Sequence, residues 1–567
     1  MTTPELPSWA ASLRDRYLSG EASLFLLHGN VRDLQRHEAE DGTVSWVDLG
    51  TFLQRFLARS RDVVVSYDVS RGLRAADPAQ ERRLRSVVDA RRLMAGQAAL
   101  DDLPRTVPDV LPALEALVTD LTLRAGVVVD DFDLVAPRAD PAFMTHDDKA
   151  ALATLRRWSS DPAVLGTDNL VIFVCEQLSA VAPAVLASPQ LVALRVPFPD
   201  LDARRAFLAA EAGGVPVDLP DGALAQVTAG LTLLQIRALL QVARQTGEPV
   251  RFETVSARKK AIIEQECHGL VELVAPRHDL SHVGGLDEVK GVLRRVAEAV
   301  VHGRHNQVPM GMIFVGPMGT GKTFVAQAFA AASGLTCLTL KNFRHHWVGS
   351  TEANLEKVLE LVEALGYVLL IVDEADRALA GGGGDDGVGS RVIARLKEFM
   401  SDTSHRGRVV TLMMTNRPDK LDVDLKRPGR FDLKIPFFFP ESTEERRAIL
   451  AALARKNAVA LADDVELAAV AEVTSGWSGA ELEGLLLAAT SRAGREEREL
   501  VAQADLRAAA DDVIPSRDVR MLEYMEMLAV FECSNRAMLP ERFRGLDTGE
   551  VLDRLDALRA MLGRRAE

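Results

Sequence analysis

The hydrophobic pattern of residues 279–440 alternates short apolar runs with longer amphipathic stretches. The runs are "GMIFVG", "LTCLTL", "YVLLIVDE", "VVTLMMT" and "LKIPFF". Apolar runs of this length, separated by helical periodicity, predict a parallel α/β sheet. From residue 441 to 510 the runs stop and the helical pattern continues, which predicts a small helical domain. Residues 511–567 predict further helices, as a C-terminal extension.

A weaker copy of the same pattern precedes this region. "VVVDDFD", "VIFVCEQ", "LRVPFPDLDARRAFL" and "VTAGLTLLQIRALLQVA" parallel "LIVDEAD", "TLMMTNR", "LKIPFFFPESTEERRAIL" and "VTSGWSGAELEGLLLAA". The matched positions are separated by 243 residues (Asp130 to Asp373), 240 (Glu176 to Asn416), 239 (Pro197 to Pro436) and 246 (Gly230 to Gly476). This nearly constant separation predicts a duplicated α/β domain over residues 1–250. Residues 251–278 have no counterpart and are predicted to be a linker.

Composition and charge narrow the class of protein. A chain of 567 residues with 47% hydrophobic and 26% charged residues is typical of a globular protein with several domains. Acidic residues outnumber basic ones by 81 to 67, which disfavours a nucleic-acid motor, and we expect no nucleic-acid partner. The four scattered cysteines, the N-terminus "MTTPELPSW" and the lack of a long apolar run predict a cytoplasmic protein without a membrane span.

A glycine-rich motif carries the first chemical prediction. "GPMGTGKT" comprises Gly316, Pro317, Met318, Gly319, Thr320, Gly321, Lys322 and Thr323, between the strand "MIFV" and the helical "FVAQAFAAA". In this setting we expect backbone N–H groups and the helix N-terminus to bind phosphates, Lys322 to reach the β and γ phosphates of a nucleotide, and Thr323 to hold Mg²⁺. A glycine-rich turn without chemistry is the alternative.

Polar residues end the third and fourth strands of the predicted sheet. "LLIVDEAD" places Asp373 and Glu374 at the carboxyl end of a buried strand, and "TNRPD" places Asn416 at the end of the following one. We expect Asp373 to bind the hydrated Mg²⁺, Glu374 to orient or deprotonate water, and Asn416 to hold that water against the γ-phosphate. A turn-forming asparagine is the alternative for Asn416.

Two arginines follow in "LKRPGRFD". Arg427 and Arg430 flank a Pro-Gly turn that cannot be helical. They form either a surface ion-pair site or the second cation that the γ-phosphate requires in the transition state.

With these motifs in place, residues 279–500, from "LSHVGGLDEVK" to "GWSGAELEGLL", resemble the AAA ATPases of the AAA+ superfamily. The resemblance implies a P-loop NTPase sheet with a helical lid, in a homo-oligomeric, usually hexameric, ring where Arg427 and Arg430 reach the neighbour's ATP. It implies further that Gly285 and Ala480 help to bind the nucleotide. Ala480 stands where many other AAA+ branches carry a sensor arginine, and Met318 replaces the family's usual proline.

The resemblance also gives a meaning to the tryptophan in "FRHHWVGSTEANLEK". Trp347, Val348 and Gly349 match the aromatic-aliphatic-glycine order of the loop that faces the central channel in AAA unfoldases. An aromatic face grips apolar side chains without sequence preference, and glycine leaves the loop free to move. A tryptophan packed against the lid or the first half is the alternative.

The first half departs from the family at each catalytic position. "LFLLHG" continues into "NVRDLQ" and "VVVSYD" into "VSRGLR", without a GK(S/T) motif, and Glu176 stands opposite Asn416. We therefore predict a pseudo-ATPase in which Asp130 and Asp131 either mimic a metal-binding strand end or form a polar strand terminus. The layout of a degenerate half followed by an intact one is similar to an AAA group of cyanobacteria and plastids.

The function expected from these features is ATP hydrolysis coupled to remodelling or unfolding a protein client. The alternative is a nucleotide-dependent assembly or loading switch that does not thread its partner. An attached zinc protease is excluded by the sequence pattern, because "HEAED" is not HExxH and no such helix occurs elsewhere.

Overall fold

The structure, a computed structural model, describes residues 6–39, 41–220, 222–267, 270–341, 351–378, 387–427, 429–515 and 518–563. The chain divides into two compact units, residues 1–259 and residues 260–567. Among the described residues, no helix combines the length and the apolar character needed to cross a membrane.

The first unit alternates strands and helices along residues 6–196 and is helical thereafter. Its strands are β1 (Leu24–Gly29), β2 (Leu34–Glu38), β3 (Val44–Asp48), β4 (Val63–Asp68), β5 (Gly72–Ala75), β6 (Ala125–Val129), β7 (Leu170–Val174) and β8 (Leu191–Val196). Its helices are α1 (Ser8–Leu18), α2 (Leu49–Ala58), α3 (Pro78–Met94), α4 (Val107–Val118), α5 (Phe132–Val135), α6 (His146–Trp158), α7 (Pro162–Leu165), α8 (Pro183–Leu186), α9 (Leu201–Glu211), α10 (Ala223–Val227), α11 (Leu233–Thr246) and α12 (Phe252–Glu266). The boundary between the two units falls within α12, after residue 259.

The main sheet of the first unit has the strand order β5-β4-β6-β7-β1-β8. All neighbours in it are parallel except β5, which pairs antiparallel with β4 at the edge. β6 and β7 are buried along their whole length, as expected of parallel strands covered on both faces. Helices α3, α4 and α6 pack on one face and α1 and α2 on the other.

The second unit repeats this plan. Its strands are β9 (Val271–Val274), β10 (Gly311–Val315), β11 (Thr336–Leu340), β12 (Val368–Val372), β13 (Val409–Thr415) and β14 (Leu433–Pro436). Its helices are α13 (Asp287–Val301), α14 (Lys322–Ser333), α15 (Thr351–Leu365), α16 (Ala375–Ala378), α17 (Gly387–Ser401), α18 (Thr443–Lys456), α19 (Leu467–Val473), α20 (Gly479–Arg495), α21 (Gln503–Asp512), α22 (Val519–Glu532), α23 (Glu541–Arg544) and α24 (Thr548–Leu562).

The sheet of the second unit has the order β14-β10-β13-β12-β11-β9, with β9 antiparallel at its edge. Matching β14 with β8, β10 with β1, β13 with β7, β12 with β6 and β11 with β4 makes the two orders identical. Helices α13 and α14 cover one face, and α15, α17 and the C-terminal helices α22 and α24 cover the other. The five strands predicted between residues 279 and 440 are confirmed as β10 to β14.

The helical segments that follow each sheet share their internal hydrogen bonds. In α9 the buried Arg204 donates its Nε–H to the carbonyl oxygen of Ala225 at 2.9 Å, and in α18 Arg446 donates in the same way to Ala471 at 2.8 Å. Helices α11 and α20 both begin with a capping box, in which a Ser or Thr side chain and a Glu or Gln side chain bond each other's backbone N–H. The resemblance between the two halves therefore extends from sequence pattern to side-chain geometry.

The segment predicted to be a linker is largely regular structure. Residues 252–266 form α12, and residues 271–274 form β9, which pairs with β11 in the register Leu338 to Leu273. The edge strand β9 of the second sheet therefore comes from this segment, between α12 and α13.

Candidate active site

The glycine-rich turn joins β10 to α14, as the sequence predicts. Gly316 has a φ of +151°, and a Cβ at this position would lie 2.1 Å from the carbonyl oxygen of Phe437. Gly321, the residue before α14, adopts the left-handed conformation with a φ of +86°. Only glycine fits these two positions without strain. The turn therefore delivers Lys322 and Thr323 in the first turn of α14, where the helix dipole favours an anion.

Lys322 lies at the centre of the site. Its Nζ donates hydrogen bonds to the carbonyl oxygens of Gly316 at 2.8 Å and Pro317 at 2.7 Å, and to Oδ1 of Asn416 at 2.8 Å. Burial lowers the pKa of Lys322 to about 8, although the carboxylates of Asp373 and Asp376 act in the opposite direction. The ammonium is thus held in place by neutral acceptors that a phosphate oxygen can replace.

The strand order explains why these residues meet. β13 lies between β10 and β12 and is parallel to both, so the carboxyl ends of all three strands reach one edge. Thr323 Oγ1 donates to Oδ2 of Asp373 at 3.3 Å, and the N–H of Glu374 donates to Oδ1 of Asp373 at 2.8 Å. Glu374 has a φ of +45°, a conformation that is uncommon outside glycine and turns the chain sharply after β12.

A cavity of roughly 680 Å³ opens at this edge, and most of the predicted nucleotide residues line it. Gly285, Lys322, Asp373, Glu374, Asn416 and Ala480 are among its lining residues, together with residues 318–321 and Thr323. Gly316 and Pro317 are not among the lining residues, but their carbonyl oxygens accept hydrogen bonds from Lys322, which is. Residues far apart in the sequence therefore share one concave site.

The helical lid contacts the glycine-rich turn directly. The N–H of Ala480, at the start of α20, donates to the carbonyl oxygen of Gly319 at 3.0 Å. A Cβ on Gly319 would lie 3.0 Å from the hydroxyl of Ser478 and 3.2 Å from the Cβ of Ala480. Gly319 and Ala480 are both small, and their size allows α20 to approach the glycine-rich turn.

The two arginines of "RPGR" do not line this cavity. Arg427 is exposed, with 70% of its side-chain surface accessible, and pairs with Asp424 at 3.2 Å. Arg430 is held within its own unit, since it donates to Ser401 Oγ at 2.7 Å and to the carbonyl oxygen of Asp424 at 3.0 Å. The predicted channel residues Trp347, Val348 and Gly349 lie outside the described residues.

Comparisons with known proteins agree with this geometry. The family described as "ATPase family associated with various cellular activities (AAA)" matches residues 312–439, and an "AAA+ lid domain" matches residues 464–508. The first half matches "AAA+ chaperone, N-terminal Rossmann-like domain" over residues 2–197 and "AAA+ chaperone, second helical domain" over residues 202–268. Models of the AAA and AAA+ families thus match successive parts of this chain, and residues 312–439 form an AAA ATPase domain.

Individual AAA+ relatives cover only part of the chain. An "ATP-dependent zinc metalloprotease FtsH" from Thermus thermophilus is 34% identical over 255 residues, which are 42% of this chain and 40% of the relative. The "ATPase family gene 2 protein" of Schizosaccharomyces pombe is 27% identical over 434 residues, 70% of this chain and 52% of the relative. "Protein SAV" of Sulfolobus acidocaldarius is 33% identical over 237 residues, 40% of this chain and 30% of the relative. The chain thus spans about half or less of the length of these relatives.

The corresponding edge of the first AAA+-like sheet carries an ion-pair cluster. Arg32, after β1, pairs with Asp130 at 3.3 Å, with Glu176 at 3.2 Å, and with Asp131. Asp130 and Asp131 follow β6 as Asp373 and Glu374 follow β12, and Asp131 has a φ of +49°, close to that of Glu374. A cation from the protein itself therefore contacts the acidic residues at this strand end, which agrees with the polar-terminus alternative.

Several residues of the site were not predicted from the sequence. Asp376 accepts a hydrogen bond from Thr415 Oγ1 at 2.7 Å and contributes to the field at Lys322. Lys456 lies 5.1 Å above the ring of Phe324 at the lid side of the cavity. Arg32 in the first unit, and residues 537–541 and Arg544 in the second unit, were also not predicted. The acidic repeat in "VDEAD" was the one available signal for Asp376, whereas the other contacts depend on the tertiary fold.

Proposed function

We propose that the second unit binds Mg·ATP and hydrolyses it, and that hydrolysis drives remodelling or unfolding of a protein client. The observation that supports this proposal is the hydrogen-bonded group of Lys322, Thr323, Asp373 and Asn416 at one sheet edge, with Glu374 beside it. A base next to the phosphate site favours hydrolysis over binding alone.

Lys322 and the first turn of α14 bind the phosphates. On binding, the γ-phosphate takes the place of Asn416 and of the carbonyl oxygens as partner of Nζ, which keeps the ammonium protonated. The Thr323 hydroxyl and the Asp373 carboxylate are hard oxygen ligands at hydrogen-bond distance, a pair that fits Mg²⁺ bound jointly by protein and phosphate. Mg²⁺ supplies neutralisation of the phosphate charge.

Glu374 and Asn416 act on the attacking water. Glu374 follows the metal-binding Asp373 and lines the cavity, so its carboxylate can orient the water and accept its proton. Asn416, at the end of the adjacent strand, holds the same water and the γ-phosphate. These roles predict that Glu374→Gln binds ATP and does not turn it over.

Arg427 serves the ATP of a neighbouring subunit in a homo-oligomeric ring. Its exposure and its absence from the lining of its own cavity support an action in trans. Arg430, which donates to Ser401 Oγ and also lies outside that lining, is proposed for the same role. Arg427→Ala should abolish hydrolysis when assayed alone. Mixed with Lys322→Ala subunits it should regain activity, because each variant supplies what the other lacks. Mixtures that stay inactive at all ratios would argue against the ring.

The first unit is a nucleotide-free scaffold or client adaptor. Arg32 neutralises the acidic strand end, and the loop after β1 lacks a phosphate-binding lysine at the corresponding place. Calorimetry on Lys322→Ala, in which the second site is disabled, should detect no ATP binding. A micromolar dissociation constant in that variant would assign a second nucleotide site to the first unit.

Two properties of the relatives favour work on a protein client. The first-half families are described as AAA+ chaperone domains, and the Thermus thermophilus relative is named an ATP-dependent protease. The direct experiment is to capture bound proteins on Glu374→Gln in ATP and in ADP, and to identify them by mass spectrometry. A client retained in ATP alone supports remodelling, and no difference between the nucleotides contradicts it.

Trp347→Ala separates threading from the alternative of an assembly switch. If Trp347, Val348 and Gly349 contact a threaded client, the variant should keep basal ATPase within about threefold of wild type and lose client-stimulated hydrolysis. Normal remodelling by Trp347→Ala would favour the assembly or loading switch.

A further inference from the structure

The C-terminal extension forms part of the wall of the nucleotide cavity. Residues 537–541 and Arg544, which lie between α22 and α24, line the same cavity as Lys322 and Asp373. Met538 and Leu539 are buried there, with 5% and 6% of their surface exposed. The site is therefore built from three parts of the second unit: the sheet edge, the helical lid and this segment.

The segment between α22 and α24 (residues 533–547) begins beside the edge strand β14 and is hydrogen-bonded to it. The backbone of Lys434 exchanges two hydrogen bonds with Ser534, one from Ser534 N–H at 3.1 Å and one to its Oγ at 2.8 Å. Glu532, whose side chain is only 8% exposed, accepts from Lys426 Nζ at 2.6 Å and from Lys434 Nζ at 2.9 Å. The segment thus has a defined origin on the sheet.

The end of the segment holds the connection between sheet and lid. Arg542 donates to both carboxylate oxygens of Glu526 on α22, at 3.0 Å each, and forms an ion pair with Glu441. The carboxylate of Glu526 also accepts the backbone N–H of Phe439. Phe439 and Glu441 line the cavity and precede Ser442, the N-cap of the first lid helix α18. Arg542 and Glu526 therefore hold residues 439–441, where the chain leaves the sheet and enters the lid, through direct polar contacts.

We propose that Arg542 is a positioning residue of the nucleotide site, which sets the orientation of the lid over the bound nucleotide through Glu441 and Glu526. This inference rests on the proposed ATP site. The bridge joins a buried carboxylate on a core-packed helix to a residue of the sheet-lid connection, so its loss frees the lid without removing a group that touches the phosphates. A loosened lid releases nucleotide faster, and the affinity falls while the chemical step is kept.

The test compares ADP binding and ATP turnover in full-length variants. Arg542→Ala should raise the dissociation constant of ADP and the KM for ATP by about five- to tenfold, with kcat changed by less than about twofold. Arg542→Lys should give an intermediate affinity, because an ammonium binds one carboxylate and lacks the planar fork that spans two. Arg536→Ala is the matched control, since Arg536 is an exposed arginine of the same segment that lies outside the cavity lining.

A double-mutant cycle distinguishes the bridge from general packing. Glu441→Gln should also weaken ADP binding. Adding Glu441→Gln to Arg542→Ala should cause little further loss of affinity, because both changes break the same Arg542–Glu441 ion pair. If Arg542→Ala does not fold, Glu441→Gln alone carries the test, since Glu441 is a partly exposed residue. Wild-type ADP affinity in Arg542→Ala or Glu441→Gln, an equal loss in Arg536→Ala, or additive losses would overturn the inference. Absence of ADP binding in the wild type would instead refute the proposed ATP site.

Discussion

Asp33→Asn tests the contact that joins the sheet of the first unit to its helical part. Asp33 is 2% exposed and accepts four hydrogen bonds. Its Oδ2 accepts from Asn30 Nδ2 and from the N–H of Leu233, both at 2.9 Å. Its Oδ1 accepts from the N–H of Leu34 at 2.8 Å and from that of Leu234 at 3.1 Å. Leu233 and Leu234 begin α11, so one buried carboxylate binds the loop after β1 to a helix N-terminus.

The magnitude follows from counting acceptors. Asparagine offers one oxygen and one amino group, so in either orientation the amino group faces two donors that have lost their acceptor. A buried donor without a partner costs about 1–3 kcal/mol. Because the loop can relax in part, we expect Asp33→Asn to lower the free energy of unfolding of the first unit by about 3 kcal/mol.

The assay is urea unfolding of the full-length protein, combined with hydrogen exchange at the start of α11. Asp48→Asn is the matched control, because Asp48 caps α2 at an exposed position and should lose less than about 1 kcal/mol. Leu233 and Leu234 amides should exchange faster in Asp33→Asn and not in Asp48→Asn. A loss no larger than that of the control, with unchanged protection at α11, would refute the argument.

Three further results are expected from charged groups. The pKa of Lys322 is about 8, and the proposed binding of phosphate requires its ammonium form. The dissociation constant of ATP should therefore be flat below pH 7 and should rise by up to about tenfold per pH unit above pH 8. Calorimetry that shows no change in this constant up to pH 9.5 would contradict the prediction. Glu532→Ala leaves Lys426 and Lys434 without their shared carboxylate and should cost about 2–4 kcal/mol in thermal or urea unfolding, with Glu532→Gln intermediate, whereas a loss under about 1 kcal/mol would show that the cluster is not stabilising. Arg32→Ala leaves Asp130, Asp131 and Glu176 without their shared guanidinium and should destabilise the first unit by about 1–2 kcal/mol at low salt, and by less at high salt, where exposed ion pairs are screened. An equal loss at both salt concentrations would contradict the ion-pair account.

The sequence was sufficient for features that depend on local order. The strand before Gly316, the helix after Gly321 and the polar residues that end β12 and β13 follow from apolar runs and turn residues, and parallel pairing then brings Lys322 and Asn416 together. The nearly constant separation of the two halves likewise predicted a second sheet, whose strand order matches the first.

The features that were missed depend on contacts between distant residues. Helical periodicity shows that α22 has a buried face, but it does not show that residues 537–541 and Arg544 line the same cavity as Gly285. The loop that contains Arg32 differs in length from the glycine-rich turn, so a comparison of motifs gives Arg32 no counterpart in the second half. Residues 251–278 were predicted to be a linker because the pairing of β9 with β11 cannot be read from the sequence and is seen only in the folded sheet.

The central claim is ATP hydrolysis at the site around Lys322, with Glu374 acting on the water. The most direct measurement is steady-state turnover of Mg·ATP together with ATP affinity in wild type, Lys322→Ala and Glu374→Gln. The account predicts turnover in the wild type, no ATP binding in Lys322→Ala, and turnover in Glu374→Gln reduced by at least ~10²-fold with ATP affinity within a few-fold of wild type. Wild-type turnover in Glu374→Gln, or ATP binding that persists in Lys322→Ala, would contradict it.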